Sequence, residues 1–187
     1  ENMAINKYDC VGIFGESGSG KTTLVDIIMG LNTPDKGEIM IDGKKIETRA
    51  EISSWQKKIS YVPQPIFLFN GTLKNNVSFE FDEDLINENK VINCIKNSQL
   101  EKFLNKSEKI NYKIDEGGGN VSIGEKQRIG LARALYKDPE LIILDEPTTV
   151  LDAITSKNLI KFLTEFRKNR TLIIISHDLN SLKMCNK

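Results

Sequence analysis

Apolar residues fall along this chain in two patterns. Short, nearly unbroken runs occur at Val11-Gly12-Ile13-Phe14, Leu141-Ile142-Ile143-Leu144 and Thr171-Leu172-Ile173-Ile174-Ile175. Runs of this length with polar flanks predict strands covered on both faces. Ile59 to Val62 predicts a fourth short strand. Glu38-Ile39-Met40-Ile41 alternates and meets Asp42-Gly43, a strong hairpin signal leading into Lys44-Lys45-Ile46. Elsewhere the apolar positions recur at helical spacing. Thr22 to Met29 predicts one helix, with Gly30 placed to end it. Val91, Ile92, Ile95, Leu100, Phe103 and Leu104 predict a helical lobe over 83–105. Ile129, Ala132 and Leu135 predict a helix that runs to Tyr136 and is stopped by Pro139. Ser122 is its natural N-cap, with Glu125 at the capping-box position. Residues 153–168 predict a further amphipathic helix. Residues 47–58 are polar and suggest no element, while Lys- and Asn-rich 105–115 and glycine-dense 116–120 read as loops.

Strands that alternate with helices predict an α/β fold built on a mostly parallel sheet with crossovers. Ligands of such sheets bind past the carboxyl ends of the strands. Gly15, Gln64, Asp145 and His177 each follow a predicted strand closely, so they are expected to converge on one rim.

Composition narrows the picture modestly. At 187 residues the chain suits one domain, of one lobe or two. Lys plus Arg and Asp plus Glu are both 26, so no global field steers it to nucleic acid or anionic lipid, and no nucleic-acid partner is expected. Cys10, Cys94 and Cys185 are odd in number and distant in sequence, which suggests reduced thiols rather than a disulfide framework. No apolar run approaches the roughly 20 residues that span a bilayer. No secretory signal is visible. The abrupt start, shortly before Gly15, suggests a piece of a longer chain.

The candidate chemistry begins at Gly15-Glu16-Ser17-Gly18-Ser19-Gly20-Lys21-Thr22, which fits the phosphate-binding pattern G-x-x-x-x-G-K-[ST] between a strand and a helix. Glycines let backbone N–H groups turn inward, and the following helix adds its positive dipole end. Lys21 would reach the β- and γ-phosphates and the Thr22 hydroxyl would hold Mg²⁺. Asp145, ending an apolar run, suits a Walker B aspartate that holds Mg²⁺ directly or through water. Glu146 could orient or deprotonate an attacking water. Gln64, held on a loop by Pro63 and Pro65, could reach the metal or its water. His177, the only histidine, could sense the γ-phosphate as a neutral imidazole donating one hydrogen bond.

With these residues in hand, the order of motifs resembles the nucleotide-binding domain of ATP-binding cassette transporters over nearly the whole chain. Gly15 to Thr22 matches Walker A, and Gln64 matches the Q-loop. Ser122-Ile123-Gly124-Glu125 falls where the signature falls, followed by Gln127-Arg128 and Leu131 to Leu135. Leu141 to Glu146 matches Walker B with its glutamate, Leu151-Asp152 the D-loop, and His177 the switch histidine. The stretch from Gln64 to Val77 looks like exporter-type domains. The resemblance implies a P-loop NTPase (RecA-like) core, about 1–80 and 137–187, with a small helical subdomain, about 81–136, carrying the signature. It implies ATP and Mg²⁺ as ligands. Gly15, Ser17, Gly18, Ser19, Gly20, Lys21, Thr22, Thr23, Ser122 and Gly124 would bind nucleotide. Thr22, Gln64 and Asp145 would serve the metal, and Glu146, His177 and Gln64 catalysis. It also implies a head-to-tail dimer of such domains, each sandwiching ATP between its Walker A and the other's signature. A transmembrane domain, fused or separate, would place the assembly on the cytoplasmic face of the cell's inner membrane, powering export.

The resemblance is imperfect. Val121-Ser122-Ile123-Gly124-Glu125 differs from L-S-G-G-Q at three places. Glu125 puts an acid where the family has an amide; if it caps its helix it is harmless, and if it faces the ligand it weakens the sandwich. The family's adenine-stacking aromatic and its strands beyond the switch histidine fall outside 1–187, so weaker adenine binding is expected of this stretch alone. Three other readings stand beside the exporter: a cassette with a degenerate signature acting structurally, a soluble cassette ATPase of repair or translation, and a P-loop kinase.

Overall fold

The computed structural model describes residues 3–16, 18–149 and 151–187. Strand β1 (Cys10–Phe14) leads through a glycine-rich loop into helix α1 (Lys21–Ile28). Gly30, at φ 68°, lets the chain leave α1 in the left-handed region. A two-residue hairpin follows, β2 (Met40–Ile41) and β3 (Lys44–Lys45), turned by Asp42 and Gly43 at φ 51° and 76°. Both turn residues take positive φ, as a type I′ turn requires.

The stretch 47–58, which suggested no element, contains helix α2 (Arg49–Gln56). Thr48 and Glu51 form a full capping box, with the Thr48 side chain accepting from Glu51 N and the carboxylate accepting from Thr48 N at 3.1 Å. Trp55 anchors α2 by donating its indole N–H to the Ile28 carbonyl at 2.7 Å.

Strand β4 (Ile59–Val62) is followed by a loop, by β5 (Gly71–Thr72) and by helix α3 (Leu73–Ser78), again with a capping box, from Thr72 and Asn75. Helix α4 (Glu88–Asn97) carries its buried Val91, Cys94 and Ile95 on one face. The helical pattern over 83–105 is not continuous: Gln99 at φ 55° breaks it, and α5 (Glu101–Leu104) begins anew. The expected loop over 105–115 includes β6 (Lys113–Ile114), which pairs antiparallel with β5. Helix α6 (Ile123–Tyr136) packs against α3 and α4. Then come β7 (Leu141–Asp145), α7 (Ala153–Phe166), β8 (Thr171–Ser176) and the short α8 (Leu179–Leu182).

The main sheet is fully parallel, in the order β1-β8-β7-β4. Its side chains alternate between two cores. Val11, Ile143, Ile173 and Ile175 pack with Val25 of α1, with Met29 at its C-cap and with Trp55. Cys10, Ile142, Leu144, Leu172 and Ile174 pack with α6 and α7 on the opposite face. Cover on both faces is what makes these strands apolar throughout. Cys10 and Cys185, 175 residues apart, meet with their sulfurs 3.5 Å apart, a contact that sequence spacing hides. No helix among the described residues is long and apolar enough to cross a membrane.

Candidate functional site

Strand register sets the rim. Phe14 pairs with Ser176, Ile175 with Asp145, and Leu144 with Val62. The four strands therefore stop within a residue or two of a common line. Neighbouring strands lie about 4.8 Å apart. Gly15, His177 and Glu146, the residues that leave β1, β8 and β7, stand in a row in that order. Gln64, two residues past Val62 and half-buried, stands at the far end.

At one end of the row the loop before α1 has a backbone only glycine takes easily. Gly18 and Gly20 sit at φ 81° and 90°. A Cβ at Gly15 would lie 2.5 Å from the Ser19 hydroxyl. Gly20 is the N-cap of α1, and no side chain caps that helix. The amides of its first turn, Lys21 to Thr23, thus point toward the loop unsatisfied by any cap, the arrangement that binds anions. Thr22 and Thr23 are exposed in that turn. The Lys21 ammonium donates to the carbonyls of Gly15 and Glu16 at 2.7 and 2.8 Å, drawing the loop around itself. Ser17, also expected here, lies outside the described residues.

Glu146 occupies the middle of the row and is held on several sides. Its own φ is 46°, a left-handed conformation uncommon for a residue with a side chain, and one that turns it out of strand line. Oε2 accepts from the Thr149 hydroxyl at 2.7 Å and from Ser176 at 3.4 Å. Oε1 accepts from the His177 backbone N–H at 3.1 Å and lies 2.8 Å from His177 Nδ1. Burial alone would push this carboxyl up, but the bonds from Thr149 and His177 outweigh it and hold it below the ordinary value. Glu146 is ionised at neutral pH.

That pairing changes the reading of His177. A carboxylate only accepts, so Nδ1 must carry the proton toward Glu146. The neutral ring then has Nε2 as an acceptor. A neutral His177 cannot donate to a phosphate from Nε2 while it keeps Glu146; it must release Glu146 or take up a second proton.

Asp145 ends β7, and the Tyr61 hydroxyl reaches across from β4 to donate to Oδ2 at 2.6 Å. Burial and this bond push the Tyr61 phenol up, so it stays protonated. The described residues contain no cluster of three or more His, Cys, Asp or Glu able to hold a metal. Mg²⁺ in phosphate sites uses one or two carboxylates, a hydroxyl and the phosphates themselves, so Asp145 with Thr22 is a fitting donor set.

Ser122 and Gly124 are not part of this row. They lie at the start of α6, and no hydrogen bond among the described residues joins them to Lys21, Asp145, Glu146 or His177. Ser122 N-caps α6 in a capping box with Glu125, whose Oε2 accepts from Ser122 N at 2.6 Å. Glu125 thus does cap its helix. A Cβ at Gly124 would come within 2.9 Å of the Thr155 methyl, so α7 requires a small residue there. Asp152 caps α7 by accepting from Ile154 N and Thr155 N, both at 3.0 Å.

Sequence reasoning missed Tyr61, Thr149 and Ser176. Nothing in their spacing announces them, because each reaches its carboxylate through strand register or a local turn.

Fold, loop and rim together define a P-loop nucleotide-binding domain. The family model described as ABC transporter matches residues 1–149. An ATP-dependent lipid A-core flippase of Hahella chejuensis is 34% identical over 187 residues, covering 100% of this chain and 32% of that protein. The ATP-binding/permease protein of a glutathione/L-cysteine transport system of Haemophilus influenzae is 32% identical over 186 residues, covering 100% of this chain and 31% of the relative. Among solved structures, a bacterial Atm1-family ABC exporter with ATP bound superposes with a TM-score of 0.79 at 28% identity, over 97% of this chain and 32% of the other. The chain belongs to the ABC transporter family, as an ATP-binding domain of it, and spans about a third of the length of these relatives.

Proposed function

We propose that this domain binds and hydrolyses ATP to power export across a membrane. The observation that carries the reading is the row at the sheet edge: an anion-ready loop with Lys21, then His177, an ionised and tightly held Glu146, and Asp145 fixed by Tyr61. Water attacks the γ-phosphorus, Glu146 accepts the proton, and ADP leaves as the bond to the β-phosphate oxygen breaks. Gly15, Ser17, Gly18, Ser19, Gly20, Lys21, Thr22 and Thr23 hold the phosphates. Thr22, Asp145 and Gln64 hold Mg²⁺ or its water. The metal, when bound, neutralises phosphate charge. General-base help of this kind is worth ~10²–10⁴ in rate, or about 3–5 kcal/mol of barrier.

Ser122 and Gly124 are assigned to the ATP of a second copy in a head-to-tail dimer. The names of the relatives, which speak of permeases, a flippase and an exporter, support a membrane-domain partner, fused or separate, and a station on the cytoplasmic face of the membrane. The helical lobe is taken to run from about 71 rather than 81, because β5 pairs with β6 and α3 packs on α6 and α4. A second reading has one specific observation in its favour: Ile123 and Glu125 depart from the family signature, as in a cassette that binds ATP structurally while a partner hydrolyses it.

Hydrolysis by the wild-type protein, measured beside that of Glu146→Gln, separates the two. On the first reading ATP still binds and turnover falls by at least about a hundredfold. Near-normal hydrolysis in Glu146→Gln would remove Glu146 from the role of base. A wild-type protein that binds ATP without releasing phosphate would favour the structural reading, and phosphate passed to a small acceptor would point to a kinase.

A further inference from the structure

Glu125 puts a negative charge at the start of α6, the segment that the dimer reading brings against a triphosphate. One uncompensated charge at several ångströms is enough to weaken such an encounter severalfold. The structure shows where the charge goes. One carboxylate oxygen turns back onto Ser122 N at 2.6 Å. The other pairs with Lys102 Nζ at 2.8 Å, and only 15% of the Glu125 side chain remains exposed. Lys102 comes from a different element, α5, which the fully buried Phe103 pins into the lobe. A second contact fixes the same junction: Arg128 of α6 donates to the Gln99 side-chain oxygen at 2.8 Å, in the turn just before α5. Lys102 itself is 64% exposed, and an exposed pair adds little to stability. Its consequence is local and electrostatic.

We propose that Lys102 is a positioning residue for the signature segment. It holds Glu125 against Ser122 and cancels its charge, so that the start of α6 can receive the triphosphate carried by a second copy. It makes the acid tolerable where the family has a neutral amide, and it touches neither nucleotide nor metal. The inference rests on the head-to-tail reading above.

The test is made in the full-length protein on the Glu146→Gln background, with a spin-label distance between two copies reporting closure as ATP is titrated. Lys102→Met is expected to raise the ATP needed for half-closure about five- to tenfold at low salt, and less at high salt. Lys102→Arg is expected to behave as the parent. With Glu125→Gln also present, Lys102→Met should raise the midpoint clearly less, since only the lysine's own attraction for the triphosphate is lost and no carboxylate is set free. An unchanged midpoint in Lys102→Met overturns the inference. So does a penalty of the same size with Glu125→Gln present. Failure of the Glu146→Gln parent to close with ATP overturns the head-to-tail reading and this inference with it. Closure that is indifferent to Lys102 overturns this inference alone.

Discussion

At the scale of single residues, the proposed hydrolysis, with Glu146 as its base, depends on how firmly that carboxylate is held. Thr149 and Ser176 share one of its oxygens and His177 takes the other. Removing a donor should misplace the base without touching the phosphate loop. Thr149→Val is expected to lower turnover by on the order of ten- to a hundredfold while the affinity for ATP stays near wild type; steady-state hydrolysis beside equilibrium nucleotide binding checks this. A parallel loss of binding would mean that Thr149 serves the loop instead. Asp145, Glu146 and His177 were legible in sequence because each sits just after a run that reads as a buried strand, and Lys21 because it closes the phosphate-loop pattern. Their partners were not. Tyr61 finds Asp145 only through the pairing of β4 with β7, and Lys102 finds Glu125 only through the docking of α5 on α6. Such partners depend on tertiary placement, which local spacing does not encode.

At the scale of elements, packing distances single out Gly130 of α6. A Cβ there would fall inside van der Waals contact of three atoms of Ile66, in the loop that carries Gln64. Gly130→Ala is expected to cost about 1–3 kcal/mol through overpacking. Ile66→Val removes the nearest of those atoms and should recover part of it, as measured by urea unfolding of the single and double variants. Helix α2 makes a different test. Hydrogen bonds from the backbone of Thr48 and then of Glu47, with the Lys44 ammonium and the Thr48 hydroxyl, lower the Glu51 carboxyl from 4.5 to about 2. The folded value lies below the unfolded one, so this contribution is present above about 4.5 and fades as the pH falls toward 2. Glu51→Gln should therefore melt earlier than wild type at pH 7, with the gap narrowing between pH 4.5 and 3; an equal gap at both ends would discard the charge as the cause. Helix α2 escaped the sequence reading because none of its residues is buried, which leaves no apolar stripe to see. Its Thr48–Glu51 cap was the only local mark. Strands β5 and β6, two residues each, are too short to show a period.

At the scale of the molecule, the parallel sheet divides the interior. Ile173 faces α1 and Ile174 faces the opposite core, and both are fully buried. Each isoleucine replaced by alanine is expected to cost about 2–5 kcal/mol. The two faces do not share a cavity, so the costs should add within roughly 0.5 kcal/mol. Denaturant titration of the two single variants and the pair measures this, and strong coupling would show that the faces communicate through the strand. The fold class was legible because unbroken apolar runs alternate with amphipathic ones. The strand order was not, since nothing local says that β8 enters between β1 and β7.

That insertion has a consequence for how the protein is made. Among the described residues β1 finds its only neighbour in β8, whose residues lie some 160 positions later in the chain. A growing polypeptide can shape its helical lobe early, from contacts close in sequence, but β1, which leads into the loop bearing Lys21, gains this neighbour only when Thr171–Ser176 arrives. Contacts of such long span form slowly and expose their partners meanwhile. The edge that carries Lys21 toward its ligand is therefore completed late, when β8 slots between β1 and β7.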